Sequence, residues 1–481
     1  MVTMLSTCTL SLPVAGCLLS GDLPEPNLVV PASYDRGPKS PIAAQKALPS
    51  LDWWTKFRSR ELTSLIEEAR ENNLDIAAAI ARIVQADAQA RITGAALLPL
   101  VTANGEATRT QSSRTTTKAT AATLGGRGGD FITNNVQATL NASYEIDFWG
   151  KNRALLRRDE ELAVASRYDR EVVGLTTVVA VANAYFQVLA AQDRLKAARE
   201  DIISASRVLD LINQRVQAGT ASALEVAQQA AVVDTLRASI PLLEQSLTQN
   251  RTALALLIGR SPEQVRVRGG SLASIAIPRV TPGLPSELLT QRPDIRAAEA
   301  DLAAANANVY NARAQFLPSI QLTGDAGYSS AVLKVLLRPE SAIYSAAASL
   351  TQPIFEGGRL FGNLDLQKGR QDELLQTYRK SVISAFVDVE NALDAVRQTT
   401  LRVNLQAQVV KSSRQAFDIS EERLREGTID LVNVLQTQQT LYQAQDTLFQ
   451  AQLARLQAIV SLYQALGGGW LPLPVEASNA R

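Results

Sequence analysis

Histidine and cysteine, which carry much of the catalytic and metal-binding chemistry of proteins, are almost missing from this sequence. The chain has no histidine, and its cysteines are Cys8 and Cys17. This excludes histidine-based catalytic triads, histidine metal sites and proton relays, and it leaves too few cysteines for a disulfide framework or a cysteine-rich zinc site. Two pairs of adjacent carboxylates, at residues 160–161 and 421–422, lie in helical sequence, and we interpret them as solvated charges. We therefore expect no catalytic residue, no metal site and no bound cofactor.

Cys17 has a setting that indicates a covalent modification. The short apolar stretch at the start of the chain ends in Val14-Ala-Gly-Cys17, which resembles a bacterial lipobox. We predict a signal peptide at residues 1–16 and a lipid on Cys17, whereas an ordinary buried thiol is the alternative. No Lys or Arg precedes the apolar stretch, which departs from the usual signal peptide. Residues 17–50 are rich in proline, which prevents a helix and favours an extended, lipid-anchored tether.

The composition limits the remaining classes of protein. Lys and Arg number 48 against 47 Asp and Glu, so no basic excess suggests a nucleic-acid partner. Hydrophobic residues make up 46% but aromatic residues only 5%, and much of the apolar content is alanine, which favours long, closely packed helices. No uninterrupted apolar run reaches the ~18–20 residues of a membrane-spanning helix.

The sequence contains an internal duplication. Residues 75–99 match residues 294–318 at an offset of 219, and each copy is an alanine-rich stretch that ends in Leu-Pro before a strand. The motif Arg-x-x-x-Gly-Thr occurs at Gly219 and again at Gly427, an offset of 208, while Phe148-Trp149 aligns with Ile354-Phe355 at 206.

Each copy predicts the same set of elements: a short helix, two strands and two long helices. We assign the first structural repeat to residues 51–270, the second to residues 271–470 and a C-terminal tail to residues 471–481. In the long helices, apolar residues recur in steps of four and three, which is coiled-coil spacing. Pro241 interrupts this pattern and predicts a bend or a local defect. Residues 219–220 and 427–428 predict turns between antiparallel helices, with each threonine as the N-cap of the returning helix.

Residues 136–148 alternate without error between apolar and polar side chains. A period of two predicts a strand with one apolar and one wet face, and the length exceeds that of a typical globular strand and matches a membrane barrel strand. Leu140, Tyr144 and Ile146 lie on the apolar face, and we expect them to face lipid. A soluble sandwich is less favoured because only four strands are visible, and four strands with two open edges require association in a membrane.

Several of these segments together resemble the outer membrane factor family, the TolC-like exit ducts of efflux pumps and type I secretion systems. The resemblance covers about residues 50–470. It depends on the duplication, the Leu-Pro pairs, the two Arg-x-x-x-Gly-Thr motifs and Thr351-Gln-Pro-Ile-Phe-Glu-Gly-Gly-Arg359. The lipobox points to the lipoprotein branch of the family, which includes drug-efflux channels and the nodulation protein T.

The resemblance implies an α+β membrane protein that assembles as a homotrimer. Each chain would contribute four strands to a 12-stranded outer-membrane β-barrel and long coiled-coil helices to a periplasmic α-helical barrel. It would act as a lipid-anchored exit duct that passively conducts small molecules from an inner-membrane pump and a periplasmic adaptor, which would meet the helical tips at Gly219, Thr220, Gly427 and Thr428. The alternative is a periplasmic adaptor or coiled-coil structural lipoprotein of an export complex. An antibiotic, a metal ion and a secreted signal molecule all stay open as cargo.

The resemblance also implies a periplasmic gate just after the second tip. The family carries acidic residues on the inward face there, whereas the matching positions here are Asn433 and Gln436, with Val432 beside them. Closure would then depend on amide contacts between copies of Gln436, on packing of Val432 and on ion pairs from Arg423 or Arg425. The alternative is that Gln436 merely continues a glutamine-rich surface.

Overall fold

The computed structural model describes residues 24–26, 28, 30–31, 33–35, 50–111 and 132–470. The predicted signal peptide, Cys17, most of the predicted tether, residues 112–131 and the predicted tail lie outside the described residues. The principal helices and strands follow in chain order: α1 (Arg60–Asn72), α2 (Leu74–Gly94), β1 (Leu100–Gln111), β2 (Ile132–Ile146), α3 (Lys151–Gln217), α4 (Ala223–Leu257), α5 (Pro293–Ala314), β3 (Ser319–Ser330), β4 (Ala342–Thr351), α6 (Arg359–Arg425) and α7 (Leu431–Ala465).

The element order repeats, as the duplication predicts. The helices α3 and α6 each contain 67 residues and α4 and α7 each contain 35, and both pairs begin 208 residues apart. The sequence match of Phe148-Trp149 with Ile354-Phe355 at 206 is therefore wrong: Trp149 corresponds to Gly357, because the helices that follow begin at Lys151 and Arg359.

The described residues divide into two compact units, and each unit draws on both halves of the chain. One unit contains Val84–Val164 and Ala300–Gln376, which include all four strands. The other contains Ala165–Glu299 and Thr377 onward, together with the described residues from Pro26 to Ile83. The predicted repeat boundary at residues 270–271 stays a prediction, because packing groups equivalent parts of the two repeats.

The strands form one antiparallel sheet in the order β1-β2-β3-β4. The pairing of β2 with β3 joins the two repeats and extends to the pair Ile146 and Ile320. The predicted strand at residues 136–148 exists but lies at Ile132–Ile146, since the backbone turns where the Phe148 N–H donates to the Ile146 carbonyl.

The second unit contains apolar cores between the helices. In the largest, Trp53 stacks on Tyr463 with ring centroids 4.7 Å apart, and Phe186 of α3 packs on Phe57. Of the described helices, α3 is long and apolar enough, by length and composition alone, to cross a membrane, but 56% of its apolar window is buried inside the protein. A core helix can pass the same test of length and composition, and more than half of this window is covered by protein.

The helix boundaries follow from capping groups. Ser222 accepts a hydrogen bond from the Glu225 N–H while the Glu225 carboxylate accepts from the Ser222 N–H, so a capping box begins α4. At the start of α3, Asp147 accepts from the backbone N–H groups of residues 152 and 153. Pro241, for which we predicted a bend or a local defect, lies within a helix that continues from Ala223 to Leu257.

Described residues of the predicted tether contact α6. The Arg379 guanidinium donates to the Pro26 carbonyl (2.7 Å), and the Asp35 N–H donates to the Glu390 carboxylate (2.6 Å). Tyr34 is buried in an apolar cluster with residues of α6 and α7. This part of the segment is therefore packed against a long helix.

The C-terminal ends of α4 and α7 are held in equivalent ways. The Asn73 amide donates to the Leu257 carbonyl (2.8 Å), and the Arg292 guanidinium, 219 residues further along, donates to the Ala465 carbonyl (3.2 Å). A glycine with positive φ lies two residues after each of these carbonyls: Gly259 after Leu257 and Gly467 after Ala465. Gly467 lies so close to the backbone of Gln291 that an added Cβ would be 2.5 Å from the Gln291 carbonyl oxygen. The duplication has thus preserved a backbone contact that only glycine allows.

We expect Gly467→Ala to destabilise the protein by about 2–5 kcal/mol, because the substitution adds a steric clash with the backbone to the cost of a positive φ. Gly219→Ala is the matched control: it has a similar φ of 76°, but nothing lies within 4 Å of its added Cβ. That change should cost only roughly 1–2 kcal/mol. Thermal unfolding of the two purified variants measures the difference in stability. Equal losses of stability would show that the close approach of Gly467 to Gln291 adds nothing to the cost of a positive φ.

Candidate functional site

The sheet separates side chains into two faces. Leu140 lies opposite Ala103 on β1 and Ala326 on β3, whereas its neighbour Asn141 lies opposite Thr102 and Asp325. The apolar face is open to the outside: Leu140 is 57% exposed and Tyr344 on β4 is 90% exposed. An apolar face of this extent in contact with water is unfavourable, so the sheet is suited to a lipid environment.

The opposite face is polar and hydrogen-bonded across strands. The Gln137 amide donates to the Glu106 carboxylate (2.9 Å), and the Ser345 hydroxyl donates to the Asp325 carboxylate (2.9 Å). A face of carboxylates, amides and hydroxyls is suited to water or polar solutes. The geometry thus supports the predicted division between Leu140, Tyr144 and Ile146 on one side and polar residues on the other.

The predicted helical tips are turns, but the role assigned to their threonines is wrong. At the first tip the Thr220 N–H and hydroxyl both bond to the Arg215 carbonyl, and Gly219 has a φ of 76°. Thr428 makes the same two bonds at the second tip, beside Gly427. Each glycine–threonine pair therefore closes the preceding helix, because a positive φ at glycine lets the next residue reach back. The N-caps of the returning helices are Ser222 and Asp430.

The predicted gate residues lie on one exposed side of α7. Val432, Asn433 and Gln436 are exposed, whereas Leu431 and Val434 are buried. This arrangement leaves the three side chains available to meet another surface.

The predicted tip arginines have intrachain partners. Arg425 pairs with Glu421 of the same helix at 3.5 Å, and the Arg423 guanidinium donates to the Thr428 hydroxyl at 3.4 Å. The Arg423 guanidinium therefore reaches the second tip, whereas Arg425 pairs within the last turns of α6.

The sequence did not reveal the polar contacts that tie the two long hairpins together. Arg194 of α3 forms an ion pair with Asp446 of α7 at 2.5 Å. The fully buried Gln229 of α4 donates to the Ala205 carbonyl of α3 (2.9 Å) and to Gln438 of α7 (3.4 Å). These residues sit on long helices among many other charged and amide side chains, so no sequence signal separates them from solvated ones.

Asp201 of α3 lies among these interhelical contacts and has a strongly raised pKa. Its carboxyl lies beside a groove of about 780 Å³ bordered by α3, α4 and α7, and the Tyr442 hydroxyl donates to its backbone carbonyl (3.1 Å). Burial raises the pKa of the Asp201 carboxyl to about 7, although the positive charge of Arg414 lowers it, and nearby Glu200 raises it further. Gln445 can bridge Asp201 and Arg414 through its amide.

Comparison with known proteins decides the family. The sequence model of the outer membrane efflux protein family matches residues 65–260 and 284–468, one segment in each half of the chain. This chain belongs to the outer membrane efflux protein family. The resemblance drawn from the sequence is confirmed, and so are the function in efflux and the location in the outer membrane.

Relatives and solved structures of the family match almost the whole chain. The pyoverdine export outer membrane protein OpmQ of Pseudomonas putida is 41% identical over 473 residues, which cover 95% of this chain and 97% of OpmQ. The cation efflux system protein CusC of Escherichia coli is 29% identical, over 96% of this chain and 97% of CusC.

Among solved structures, the outer-membrane channel OprN matches with a TM-score of 0.85 and 27% identity, over 94% of this chain and 98% of that one. The CmeC outer membrane channel of Campylobacter jejuni also has a TM-score of 0.85, with 26% identity over 94% of this chain and 95% of CmeC. These are channel proteins, so the likeness favours a channel over the periplasmic adaptor that the sequence left as an alternative. The expected fold class, with long helices and barrel strands in one chain, is confirmed.

The two faces of the sheet predict opposite responses to a charge. Leu140→Arg, near mid-strand on the apolar face, should cost ~2–4 kcal/mol per chain because a guanidinium is poorly tolerated at the bilayer midplane. Asn141→Arg should be tolerated, since the polar face already holds Asp325 opposite it. The amount of protein recovered in the outer membrane measures both effects. Equal loss in both variants, or in neither, would show that the faces are assigned wrongly.

The half-buried Asp201 predicts a pH-dependent stability. Its pKa is higher in the folded protein than the value of 3.8 for a solvated Asp. Folding therefore gains stability from this group at acidic pH and loses it as the pH rises towards 7. From about pH 5 to about pH 8, the unfolding midpoint should fall less in Asp201→Asn than in the native protein. Asp210→Asn, at an exposed position of the same helix, is the matched control and should follow the native protein.

Proposed function

We propose that three copies of this chain close their sheets into one outer-membrane barrel and their long helices into one periplasmic tunnel. The observation that carries the proposal is the four-stranded sheet with an exposed apolar face and open edges at β1 and β4. Open edges are not tolerated in hydrocarbon, and eight strands are the usual minimum for a closed barrel. Three copies supply twelve strands, which is the number that the resemblance to the family implied.

The proposed duct is passive and depends on partners. Movement through a tunnel breaks no bond, so the energy for export comes from an inner-membrane pump, joined to the duct by a periplasmic adaptor. The tips at Gly219-Thr220 and Gly427-Thr428 are exposed and closed by their own hydrogen bonds, which supports a role as a preformed docking surface for the adaptor. In this proposal the duct needs no cofactor.

The cargo is selected by the pump in this proposal. Named cargo differs among relatives that align over most of this chain: pyoverdine at 41% identity, toluene at 33% and cations at 29%. Such a range argues that one duct architecture serves many cargoes. Because the two proteins named for pyoverdine export are the most similar of these three groups, we propose a secreted molecule of the pyoverdine type as the cargo here.

A lipid on Cys17 and a gate at α7 complete the proposal. The lipid would anchor the mature chain beside its own barrel, and labelling of the whole chain with a radioactive fatty acid tests it.

The gate would form where three copies bring Val432, Asn433 and Gln436 together. Their exposure on one side of α7 supports this, since amides can bond to each other without the repulsion of an acidic ring.

Planar-bilayer recording of the purified native protein tests the duct and its gate together. We expect a heat-sensitive oligomer that inserts as a rarely open pore with little preference for cations. Gln436→Asp should raise cation selectivity, because three carboxylates would concentrate cations at the constriction. Gln436→Ala should raise the open probability, since it removes the amide contacts.

Two results would count against these proposals. A protein that extracts as a soluble monomer and conducts no current would overturn the trimeric duct. A conducting oligomer whose currents are unchanged in both Gln436 variants would keep the duct and place its constriction elsewhere.

A further inference from the structure

The duplication relates the strands of the two repeats by fixed shifts. Leu100 of β1 pairs with Ser143 of β2, and the same pair recurs as Ser319 of β3 with Thr351 of β4. A residue of β1 thus corresponds to the residue 219 positions later in β3, and a residue of β2 to the one 208 positions later in β4. The second shift equals the spacing of the long helices that follow these strands.

The strand pairing that joins the two repeats has an equivalent that a single chain cannot form. Within the chain, β2 of the first repeat pairs with β3 of the second, up to Ile146 opposite Ile320. By the shifts above, Ile146 corresponds to Ile354 and Ile320 to Val101. The corresponding joint would therefore pair β4 with β1, but these are the two outer strands of the sheet.

The ends of the strands differ where this joint is missing. β2 continues for three residues beyond Ser143, its last partner on β1, because β3 pairs with these residues. The corresponding residues 352–354 follow the end of β4 at Thr351 and belong to no strand. Ile354 and Phe355 are 90% and 88% exposed, and Val101 on the other edge is exposed as well.

We propose that β4 of one copy pairs antiparallel with β1 of a second copy in the register that sets Ile354 opposite Val101. The proposal rests on the trimeric duct proposed above and assigns the contact that closes it. In this register residues 352–354 extend β4, as residues 144–146 extend β2. Pro353 is compatible with it, because only alternate residues of a strand bond to a given neighbour, and Ile354 still has its N–H.

The side chains across this joint match by face. The register sets Leu350 opposite Gly105 and Ile354 opposite Val101 on the apolar face, while Thr351 meets Asn104 on the polar face. The pair of Leu350 with Gly105 corresponds to Ala142 with Gly324 inside the chain, so a glycine recurs at the same place. A slip of one residue would set apolar side chains against polar ones along the whole joint.

The joint between copies lacks one bond of the joint within the chain. The Trp149 indole donates to the Pro318 carbonyl at 2.7 Å and ties the first repeat to the second. The corresponding residues are Gly357 and Pro99, and glycine has no side chain to donate. The contact between copies thus depends on strand pairing and on apolar packing of Ile354 and Phe355.

Paired cysteines in the full chain test the register. Ile354→Cys with Val101→Cys should form a disulfide on oxidation, because opposed residues of antiparallel strands have Cα atoms about 4.5–5.5 Å apart. The product should be a covalent trimer that survives boiling and disappears on reduction. Ile146→Cys with Ile320→Cys is the matched control: this pair should oxidise equally well and yet run as a monomer after boiling.

A third pair separates the register from its neighbours. Ile354→Cys with Ala103→Cys lies two residues away on the same face and should cross-link much less. If this pair cross-links better, or if no pair links copies in a sample that still forms the heat-sensitive oligomer, the register is wrong while the proposed duct stands. If no oligomer forms in the native chain, the proposed duct fails, and this pairing fails with it.

Discussion

Backbone hydrogen bonding at the edges of the sheet is the constraint on which the rest of this protein depends. The described part of each chain forms four strands, so the N–H and C=O groups on the outer side of β1 and of β4 lack partners within the sheet. In hydrocarbon such groups must be satisfied by protein. The exposed apolar face around Leu140 and Tyr344 is stable only in a lipid environment, which makes closure of these edges a condition for folding in the membrane.

The duplication allows one type of strand pairing to meet this condition. Because each repeat supplies two strands, the joint between β2 and β3 already shows how one repeat pairs with the next. The same rule carried from β4 to β1 of another copy generates a ring without a new type of contact. The two joints are not identical, since Trp149 fastens the one within the chain and Gly357 occupies the corresponding place in the other.

The long helices face a different problem, which is to hold a fixed register with little aromatic packing. The structure answers it with specific polar contacts: the pair Arg194–Asp446, the buried amides of Gln229 and Gln438, and the side chains that bind the last carbonyls of α4 and α7. Buried polar groups favour one register because a shifted helix would leave them without partners. This explains how alanine-rich helices of such length can pack in one arrangement.

The sequence alone determined the features that depend on local pattern. Alternation predicted β2 and its two faces, the duplication predicted two long helices in each half, and the repeated Gly-Thr pairs predicted the tips. These follow from backbone preferences that act over a few residues.

Only the tertiary structure decided the features that depend on partners distant in sequence. It showed that Trp149 corresponds to Gly357 and that Thr220 and Thr428 close the preceding helices. It also placed Gln229 in the interior and left Asp201 half-buried among other helices. Local pattern cannot reveal these, because the burial of a polar side chain and the register of a strand are set by whichever segments pack against it.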